Sequence, residues 1–595
     1  MRKDSIRREL ATSGIDGNRR TLLKASLVAA TAAPMVLTPR KTSAQPTPLP
    51  PSPPTTPWVE DLPTQITPIS PLATLTPAPT LAANTAGGEC GRAEHQRYAA
   101  LCVPGIAGTP LLYQLTAKEN PAWLFNGNNP YYPAQPIWGY EGNTPGATTP
   151  GPTIHARYGQ SVVCRFRNEL PQNHTGFGSP EISTHLHNMH TPSESDGYAA
   201  DFYSATQRGL TLTAPGTFND HFYPNLYAGF DEFGGTGDPR EALGSLFYHD
   251  HTEGVTAPNV LKGLFGRYMI FDHLDTGDET TGLKLPSGPY DYPLSFSDKR
   301  FDSGGRLTFD ELNPEGVLGD KVVVNGKIEP VLRVARRKYR LRLLNVGPSR
   351  FYEFVLQNTG GTTVYPYTQI ANDGNLLPAP VLNQLRVRLA PAERADIVVD
   401  FSRFPLNTTL YLVNQLIQVD TRQPTNAQTP GTRVLKFVVD RNPPAPDLST
   451  VPSLLRPLRD LPTAAQLAAL PVRTWVLARN SGMWNVNGQF FDALTPRATI
   501  SRGSTEIWEF INPDNSWQHP IHVHFEEGRI LSKSLNGVNV PLPMNERGRK
   551  DVFNVGPLGR MRVLLRFRDF TGKYLMHCHN LTHEDHAMMV RIDVV

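Results

Sequence analysis

The chain has 595 residues, enough for several domains, and only 19% of them are charged. The net charge of +3 gives no sign of a nucleic-acid partner, and no run of eighteen apolar residues indicates a membrane span. The 48 glycines and 56 prolines are typical of a loop-rich β protein. We therefore expect an all-β fold in which helices are sparse.

Residues 1–44 have the features of an export signal. Arg19 and Arg20 form a twin-arginine pattern, a moderately apolar stretch follows over residues 25–37, and small residues precede a cleavage site near Ala44. A short amphipathic helix is the alternative interpretation. The pattern predicts a protein exported from a bacterial or archaeal cytoplasm, so its location would be periplasmic, cell-surface or extracellular.

Residues 45–88 form a tract rich in proline and threonine. Such a composition cannot supply a packed core, so we expect an extended or disordered linker. Two of the four cysteines, Cys90 and Cys102, follow this tract and flank a short segment. They either pair in an oxidising compartment or stay free. Cys164 lies in an apolar stretch and is predicted to be a buried strand residue.

One pattern recurs three times along the rest of the chain: a proline, a strand, a second strand and an asparagine. It occupies residues 152–168, 330–345 and 496–512. The near-constant length predicts three related β domains, each a Greek-key barrel or sandwich. We place them at residues 89–275, 276–445 and 446–595. One short helix is predicted over residues 464–470.

The end of the chain carries the most informative motif, which runs from Met576 to His583 and continues to Met588. A cysteine thiolate, imidazoles and a methionine thioether select copper, and two His, one Cys and a weak axial Met form the ligand set of a blue electron-transfer copper. If His577, Cys578 and His579 are extended, the two histidines face one side and the cysteine faces the other. The segment therefore predicts copper on both faces of one strand.

Three further histidine pairs have the same i, i+2 spacing, which places both rings on one face of a strand. His519 lies three residues before one of these pairs and would face the side of Cys578. The pairs occur in the first and third repeats only, so these two domains would build a metal cluster at their interface, while the second would be structural and shape the substrate side. A structural zinc site needs only four ligands and would leave most of these residues unexplained. The pairs are His185 and His187, His249 and His251, and His522 and His524.

With these motifs the chain resembles the multicopper oxidases, and in particular the bacterial laccases of the spore-coat type. The resemblance spans residues 90–595 and rests on Trp138-Gly139-Tyr140, Pro150-Gly151-Pro152, Ser195-Asp196-Gly197, Tyr248-His249-Asp250-His251, Ala392-Glu393-Arg394 and the terminal pattern. It implies three cupredoxin domains and four coppers per chain. By the resemblance, a type 1 copper is held by His519, Cys578, His583 and Met588, a type 2 copper by His185 and His522, and two type 3 coppers by His187, His249, His251, His524, His577 and His579.

The resemblance also implies proton donors at Asp196 and Glu584, whereas a turn aspartate and a hydrogen-bond acceptor are the simpler interpretations. Cys578 would link the two copper centres. Met588 is the expected axial ligand, with Met589 as the alternative. The family usually has glycine after the first histidine pair, where this chain has Asn188. Asparagine is the next most tolerant residue of a positive φ, so we expect a local adjustment there.

The implied function is a laccase-like oxidation of phenols or aromatic amines, one electron at a time, coupled to reduction of O2 to water. Oxidation of Mn(II), Cu(I), Fe(II) or bilirubin at the same centres is the alternative, although only 10 methionines and no Met-rich tract weigh against Cu(I). A copper-free structural relative would lack several of the ligands, and a two-domain nitrite reductase would lack the full set of histidine pairs. A monomer is the default expectation.

Overall fold

Six β-sheets organise the part of the chain that the computed structural model describes, residues 50–62, 67–82 and 86–595. The predicted export signal lies outside these residues. Residues 51–595 form one compact unit. Within it the sheets group as three consecutive pairs, and each sheet takes its strands from one of the three repeats. The expectation of an all-β fold is confirmed.

The first pair of sheets contains strands β1 to β8. One sheet has the order β2-β1-β4-β6 and the other β3-β8-β7-β5. The strands are β1 Leu111–Trp123, β2 Gln135–Glu141, β3 Gly151–Arg157, β4 Val162–Asn168, β5 Thr184–His187, β6 Phe218–Tyr223, β7 Ser245–Asp250 and β8 Phe265–Phe271.

The second pair contains strands β9 to β22. Its sheets have the orders β12-β11-β9-β14-β20-β17-β18, with β10 on β9, and β13-β22-β21-β15-β16, with β19 on β15. The strands are β9 Asp291–Phe301, β10 Leu307–Thr308, β11 Lys321–Val324, β12 Lys327–Ile328, β13 Val331–Ala335, β14 Lys338–Asn345, β15 Tyr352–Asn358, β16 Val364–Tyr365, β17 Tyr367–Asn372, β18 Asn375–Gln384, β19 Val387–Leu389, β20 Arg394–Asp400, β21 Thr409–Ile417 and β22 Asn426–Arg441.

The third pair contains strands β23 to β34. Its sheets have the orders β24-β23-β26-β32-β28-β29, with β30 on β28, and β25-β34-β33-β27-β31. The strands are β23 Val472–Asn480, β24 Met483–Val486, β25 Ala498–Ile500, β26 Thr505–Ile511, β27 His519–Val523, β28 Gly528–Leu535, β29 Val538–Val540, β30 Arg549–Lys550, β31 Val552–Val555, β32 Gly559–Arg566, β33 Gly572–Cys578 and β34 Met589–Val594.

Helices are short in the described residues, as the sequence predicts. The predicted helix near residue 464 is present and begins with a capping box, in which Thr463 and Gln466 bond each other's backbone N–H. None of the helices that the structure describes is both long and apolar enough to cross a bilayer. The α-helices are α1 Tyr98–Leu101, α2 Thr256–Lys262, α3 Ala464–Ala469 and α4 Leu581–Asp585, and 3-10 turns occur at Ser193–Ser195, Pro239–Glu241, Gly288–Tyr290, Phe401–Arg403 and Met544–Glu546.

The three repeats have the same strand connections. In each, the first strand of the pattern pairs in parallel with the last strand of its repeat, as β3 with β8, β13 with β22 and β25 with β34. The second strand crosses to the other sheet, where it pairs in parallel with the first strand of the repeat. This crossing between sheets is the Greek-key arrangement that the sequence pattern predicts.

The asparagine that ends the Pro-to-Asn pattern has the same structural role in all three repeats. Asn168, Asn345 and Asn512 are buried, and each side-chain oxygen accepts the backbone N–H two residues later at 3.0 to 3.1 Å. The side-chain nitrogen donates to backbone carbonyls of a neighbouring loop. The asparagine therefore closes a turn and satisfies buried backbone groups, which would otherwise cost free energy.

The linker predicted over residues 45–88 is extended rather than disordered in residues 51–62 and 67–82, which we call the N-terminal strap. Its backbone N–H groups bond strand edges, at 2.6 Å from Leu62 to Val331 and 2.7 Å from Leu72 to Leu112. Leu62 and Leu75 are 3% and 5% exposed. An extended proline-rich chain has no internal hydrogen bonds, so its polar groups are free to bond a sheet while widely spaced leucines enter existing cores.

The four cysteines are free, so the disulfide considered between Cys90 and Cys102 is not formed. Cys90 packs in the core of the first pair of sheets, whereas Cys102 packs against the core of the third pair, with its sulfur 3.9 Å from the Ser161 hydroxyl. The two side chains point into different cores. Cys164 lies buried in β4, as expected.

Candidate metal centres

Strand β33 brings both halves of the site together. It pairs with β27 so that Ile521 lies opposite Cys578 and His522 opposite His577. Because side chains alternate along a strand, Cys578 enters the core of the third pair of sheets, while His577 faces the first pair. The structure therefore places one group of ligand-type residues on each face of β33.

The outer group consists of His519, Cys578 and His583, all fully buried. The Cys578 sulfur lies 3.6 Å from Nδ1 of each histidine, and the two Nδ1 atoms are 3.3 Å apart. Met588 belongs to the same apolar cluster as Cys578, and its carbonyl accepts the Cys578 N–H at 3.0 Å. Met589 packs instead with Leu575 in another cluster, which disfavours it as the axial residue.

Aromatic and polar groups enclose the outer group. The Trp484 ring lies 4.0 Å from the ring of His583, and Trp517 packs edge-on against it. His583 Nε2 lies 3.0 Å from Asn580 Nδ2 and 3.3 Å from the Glu315 carbonyl oxygen. Glu315 belongs to the second repeat, so the middle pair of sheets contributes a loop over His583.

Eight histidines form the inner group at the meeting of the first and third pairs of sheets. Strands β5 and β7 supply rings from one side, and β27, β33 and the residues directly after them supply rings from the other. Nε2 of His577 lies 3.2 Å from that of His251 and 3.1 Å from that of His524. Nε2 of His185 and His522 are 3.4 Å apart. The sets made of histidines alone whose donor atoms lie within 4.8 Å of one another are His187, His249 and His579; His251, His524 and His577; and His185, His187 and His522.

These rings have the form that a metal needs. Burial, followed by the neighbouring imidazoles, holds the pKa of His577 and His579 well below the ordinary value, and burial lowers the pKa of His249 to about 3. The rings of His249, His577 and His579 are therefore neutral and present lone pairs. Nε2 of His249 and both ring nitrogens of His579 are buried without a hydrogen-bond partner among the described residues. Nitrogens about 3 Å apart suit one ion about 2 Å from each, so the set fits bound metal.

Burial also raises the pKa of the Cys578 thiol well above its ordinary value. Since the thiolate is the ligand form of cysteine, a metal that binds here must displace the thiol proton. The sulfur lies among imidazoles and apolar side chains, which suits a soft ion. The donor set fits copper.

Two carboxylates lie behind the inner histidines. Asp196 Oδ2 accepts from His524 Nδ1 at 2.7 Å, and its backbone carbonyl accepts from His185 Nδ1. Glu584 Oε2 lies 2.8 Å from His577 Nδ1, and Oε1 lies 3.6 Å from His251 Nδ1. Burial is the largest influence on both carboxyl groups and raises the pKa of each. The two residues therefore fix ring orientations within the inner group.

The position after the first histidine pair shows the expected adjustment. Asn188 has φ 74°, a conformation that favours glycine and tolerates asparagine. Its side-chain nitrogen donates to the Asp373 carbonyl at 2.7 Å and to Glu527 Oε1 at 2.9 Å. The asparagine thus adopts the positive φ expected at this position and makes side-chain contacts that glycine cannot make.

The residues that contact the candidate ligands and that sequence reasoning missed include Asp551, Trp484 and Asn580. The Asp551 carboxylate lies 2.6 Å from His187 Nε2 and 3.3 Å from His522 Nδ1, and it pairs with Arg394 at 3.0 Å. Trp484 and Asn580 contact His583, as described above. Only Asn580 lies near a motif; Asp551 and Trp484 come close through the pairing of distant strands, which gives no local signal.

Comparisons with known proteins agree with this geometry. The family model described as multicopper oxidase matches residues 462–595. The chain is 33% identical over 461 residues to a bilirubin oxidase of Albifimbria verrucaria, covering 76% of this chain and 71% of that protein. It is 31% identical over 511 residues to a laccase of Bacillus stratosphericus, covering 78% and 91%. Its fold matches the McoA multicopper oxidase of Aquifex aeolicus with a TM-score of 0.62 and 24% identity, covering 81% and 96%.

The paired sheets, the two groups of buried ligands and these similarities define an oxidoreductase built from cupredoxin-like domains. The chain belongs to the multicopper oxidase family, and the resemblance inferred from the sequence is confirmed.

Proposed function

We propose that this protein is a laccase-like oxidase that couples one-electron oxidation of phenols or aromatic amines to reduction of O2 to water. The relatives named laccase and bilirubin oxidase support oxidase chemistry at such centres. The outer group would hold a type 1 copper with Met588 as its axial ligand. Four coppers per chain are proposed in total; the inner group would hold a type 2 copper at His185 and His522, and two type 3 coppers at His187, His249 and His579 and at His251, His524 and His577.

The observation that carries this proposal is the position of Cys578 between the two groups. Its sulfur lies among His519 and His583, and its neighbours His577 and His579 belong to the inner group. When bound, copper supplies one-electron acceptance at the outer group and multi-electron transfer to O2 at the inner group. The covalent path from the Cys578 sulfur through the backbone to His577 gives electrons a short route, and the burial of every ligand excludes bulk water.

Asp196 and Glu584 are proposed to supply the protons that oxygen reduction consumes. Each carboxyl group is buried and contacts an inner histidine, so a proton held at Asp196 Oδ1 or at Glu584 lies next to a ring of the inner group. Asp196 Oδ1 and both Glu584 oxygens lack a well-directed hydrogen bond among the described residues. Such oxygens are able to hold and release a proton.

A small aromatic donor would approach the outer group over His583. His583 lies beneath Trp484 and the loop that contains Glu315, and Arg479 pairs with Glu315 at 2.7 Å. An aromatic donor that packs on this surface would reach the outer group through the imidazole of His583. The thioether of Met588 favours a lower potential than a non-coordinating residue, which suits electron-rich donors.

The test is an absorption spectrum with copper quantification, followed by a donor panel under air. We expect a strong band in the red, about four coppers per chain, and oxygen uptake with phenols. Cys578→Ser should lose the red band while it keeps inner copper. A colourless protein after copper reconstitution, or a band that persists in Cys578→Ser, would overturn the assignment.

Bilirubin is the second candidate donor, favoured by the 33% identity to the bilirubin oxidase. Mn(II), Fe(II) and Cu(I) are further arms of the same panel. A kcat/KM for bilirubin that exceeds the values for phenols would replace the phenol assignment and leave the copper assignment intact.

Three further proposals concern the whole chain. The pairs of sheets correspond to domains at residues 89–275, 276–445 and 446–595. The twin-arginine pattern at Arg19 and Arg20 directs export of the folded protein. The enzyme acts as a monomer outside the cytoplasm, which fractionation and light scattering would test.

A further inference from the structure

A cavity of about 300 Å³ lies away from both ligand groups, where the segment before α3 meets β28, β30 and β32. Four arginines line it: Arg459, Arg529, Arg549 and Arg566. The lining includes two carboxylates, Asp460 and Glu527. A concave surface with more cations than anions attracts negatively charged ligands.

The carboxylates near the cavity are shared among several guanidinium groups. Glu241 contacts Arg549 at 3.3 Å, Arg568 at 3.7 Å and also Arg566. Glu527 bonds Arg549, and Arg459 reaches Glu232 at 3.4 Å. One carboxylate thus serves three cations, and the guanidinium groups keep unused donor capacity.

Arg529 is the exception among the four. It has no carboxylate within 4.0 Å in the part of the chain that the structure describes, and its Nη1 donates only to the Arg459 carbonyl at 2.8 Å. The Nε atom of Arg529 is buried without a hydrogen-bond partner among the described residues. The same is true of Nε of Arg549, a residue that is 4% exposed. Burial holds the pKa of Arg529 below its ordinary value. A partly buried cation that has no carboxylate in direct contact is destabilising, and a bound anion would relieve it.

From this arrangement, we propose that the cavity binds a small multivalent oxyanion, either a phosphate or a dicarboxylate. Planar guanidinium groups bond both kinds of ligand through two parallel N–H donors. The cavity has the size of small-molecule sites. The site is separate from the copper chemistry, although Glu527 at its wall accepts from Asn188, the residue after His187.

Calorimetric titration of the copper-loaded enzyme with inorganic phosphate and with succinate tests this proposal, in a chloride buffer of constant ionic strength. We expect saturable binding of at least one anion with one site per chain, weakened at high salt because the contacts are ionic. Arg529→Gln should weaken that binding at least tenfold, and Arg459→Gln should weaken it too. Arg403→Gln, at an exposed position in the second repeat and outside the cavity lining, is the matched control and should bind as the parent does.

Copper content and thermal midpoint are measured for every variant, and Arg459→Gln decides the outcome if Arg529→Gln does not fold. Equal affinity in the parent and in a folded cavity variant would overturn the proposal, because any binding would then occur elsewhere, including at copper. Absence of binding by both anions would also overturn it. The relative affinities of phosphate and succinate identify the class of ligand.

Discussion

Adjacent residues of one strand belong to different ligand groups, because neighbouring side chains on a strand point to opposite faces. Cys578 points into an apolar core, and His577 points towards the first pair of sheets, although the two are adjacent. The same alternation separates His519 from His522 on β27. Alternation also separates the two candidate axial methionines, since Met588 packs beside Cys578 and Met589 packs in another cluster.

Met588→Leu should raise the potential of the outer copper, because loss of a weak thioether ligand destabilises the oxidised ion. We expect a rise of about 59 mV or more, equal to a tenfold change in the reduction equilibrium. Redox titration of the red absorption band measures it. Met589→Leu is the matched control, with a potential like that of the parent. A rise in the control and none in Met588→Leu would exchange the two assignments.

Asp196→Asn and Glu584→Gln should each slow turnover while copper is retained, because each removes a proton donor and keeps the shape of the side chain. General acid catalysis contributes roughly 100-fold or more, so we expect losses of that order. Turnover and copper content are measured across the pH range. Unchanged turnover with full copper would assign these carboxylates only the orientation of His524 and His577.

At the scale of the element, backbone hydrogen bonds explain why the N-terminal strap is ordered. The strap has few apolar residues, but Leu62 enters the core of the second pair of sheets and Leu75 enters the core of the third. The core of the third pair also contains Phe222 and Leu226 of the first repeat. The strap therefore contacts all three pairs of sheets and connects their edges.

Leu75→Ala should destabilise the protein by about 2 to 5 kcal/mol, since removal of a buried leucine loses contact area and leaves a cavity. Chemical denaturation of the copper-loaded protein gives the change in unfolding free energy. The control is Leu81→Ala in the same strap, where the leucine is 41% exposed and the effect should stay within about 0.5 kcal/mol. Equal effects would show that the strap contributes no buried contact at Leu75.

At the scale of the whole molecule, an ion pair joins the first and third repeats. His190 Nε2 lies 2.8 Å from Asp569 Oδ2, and the ring stacks on Phe525 with centroids 4.7 Å apart. Burial alone would lower the pKa of His190, but Glu526 and Asp569 outweigh it and raise that pKa above its ordinary value. Burial alone would raise the pKa of Asp569, but the hydrogen bond and charge of His190, together with backbone N–H groups, lower it to about 2.

The signs of these two shifts predict a stability window. Because the pKa of His190 is raised in the folded protein, its contribution to the free energy of unfolding is full below about pH 6.5. That contribution is lost as the pH rises through the folded pKa. The lowered pKa of Asp569 means that its contribution is full above about pH 4 and is lost as the pH falls towards 2. The thermal midpoint of the copper-loaded protein should therefore decrease as the pH is raised from 6 to 9.

His190→Gln should remove most of that fall between pH 6 and pH 9, because a neutral amide does not titrate. His273→Gln is the control, since the side chain of His273 is 61% exposed. A fall in His190→Gln as large as that of the parent would assign the pH dependence to other groups.

Much of this protein could be predicted from local sequence. The i, i+2 histidine pairs, the soft ligands around Cys578 and the repeated Pro-to-Asn pattern predicted the fold class and both groups of ligand-type residues. These signals are readable because strand periodicity fixes the face of each side chain, and a turn asparagine has a local hydrogen-bonding role.

Other features were decided only by the tertiary structure. The strap is ordered because it bonds strands far along the chain. Cys90 and Cys102 are separated because each packs against a different core. Asp551 and Trp484 approach the histidines through strand pairing. The arginine-lined cavity likewise joins residues from separate strands. Contacts between distant residues leave no periodic pattern in the sequence. Their free energy depends on three-dimensional packing and does not depend on local conformational preference.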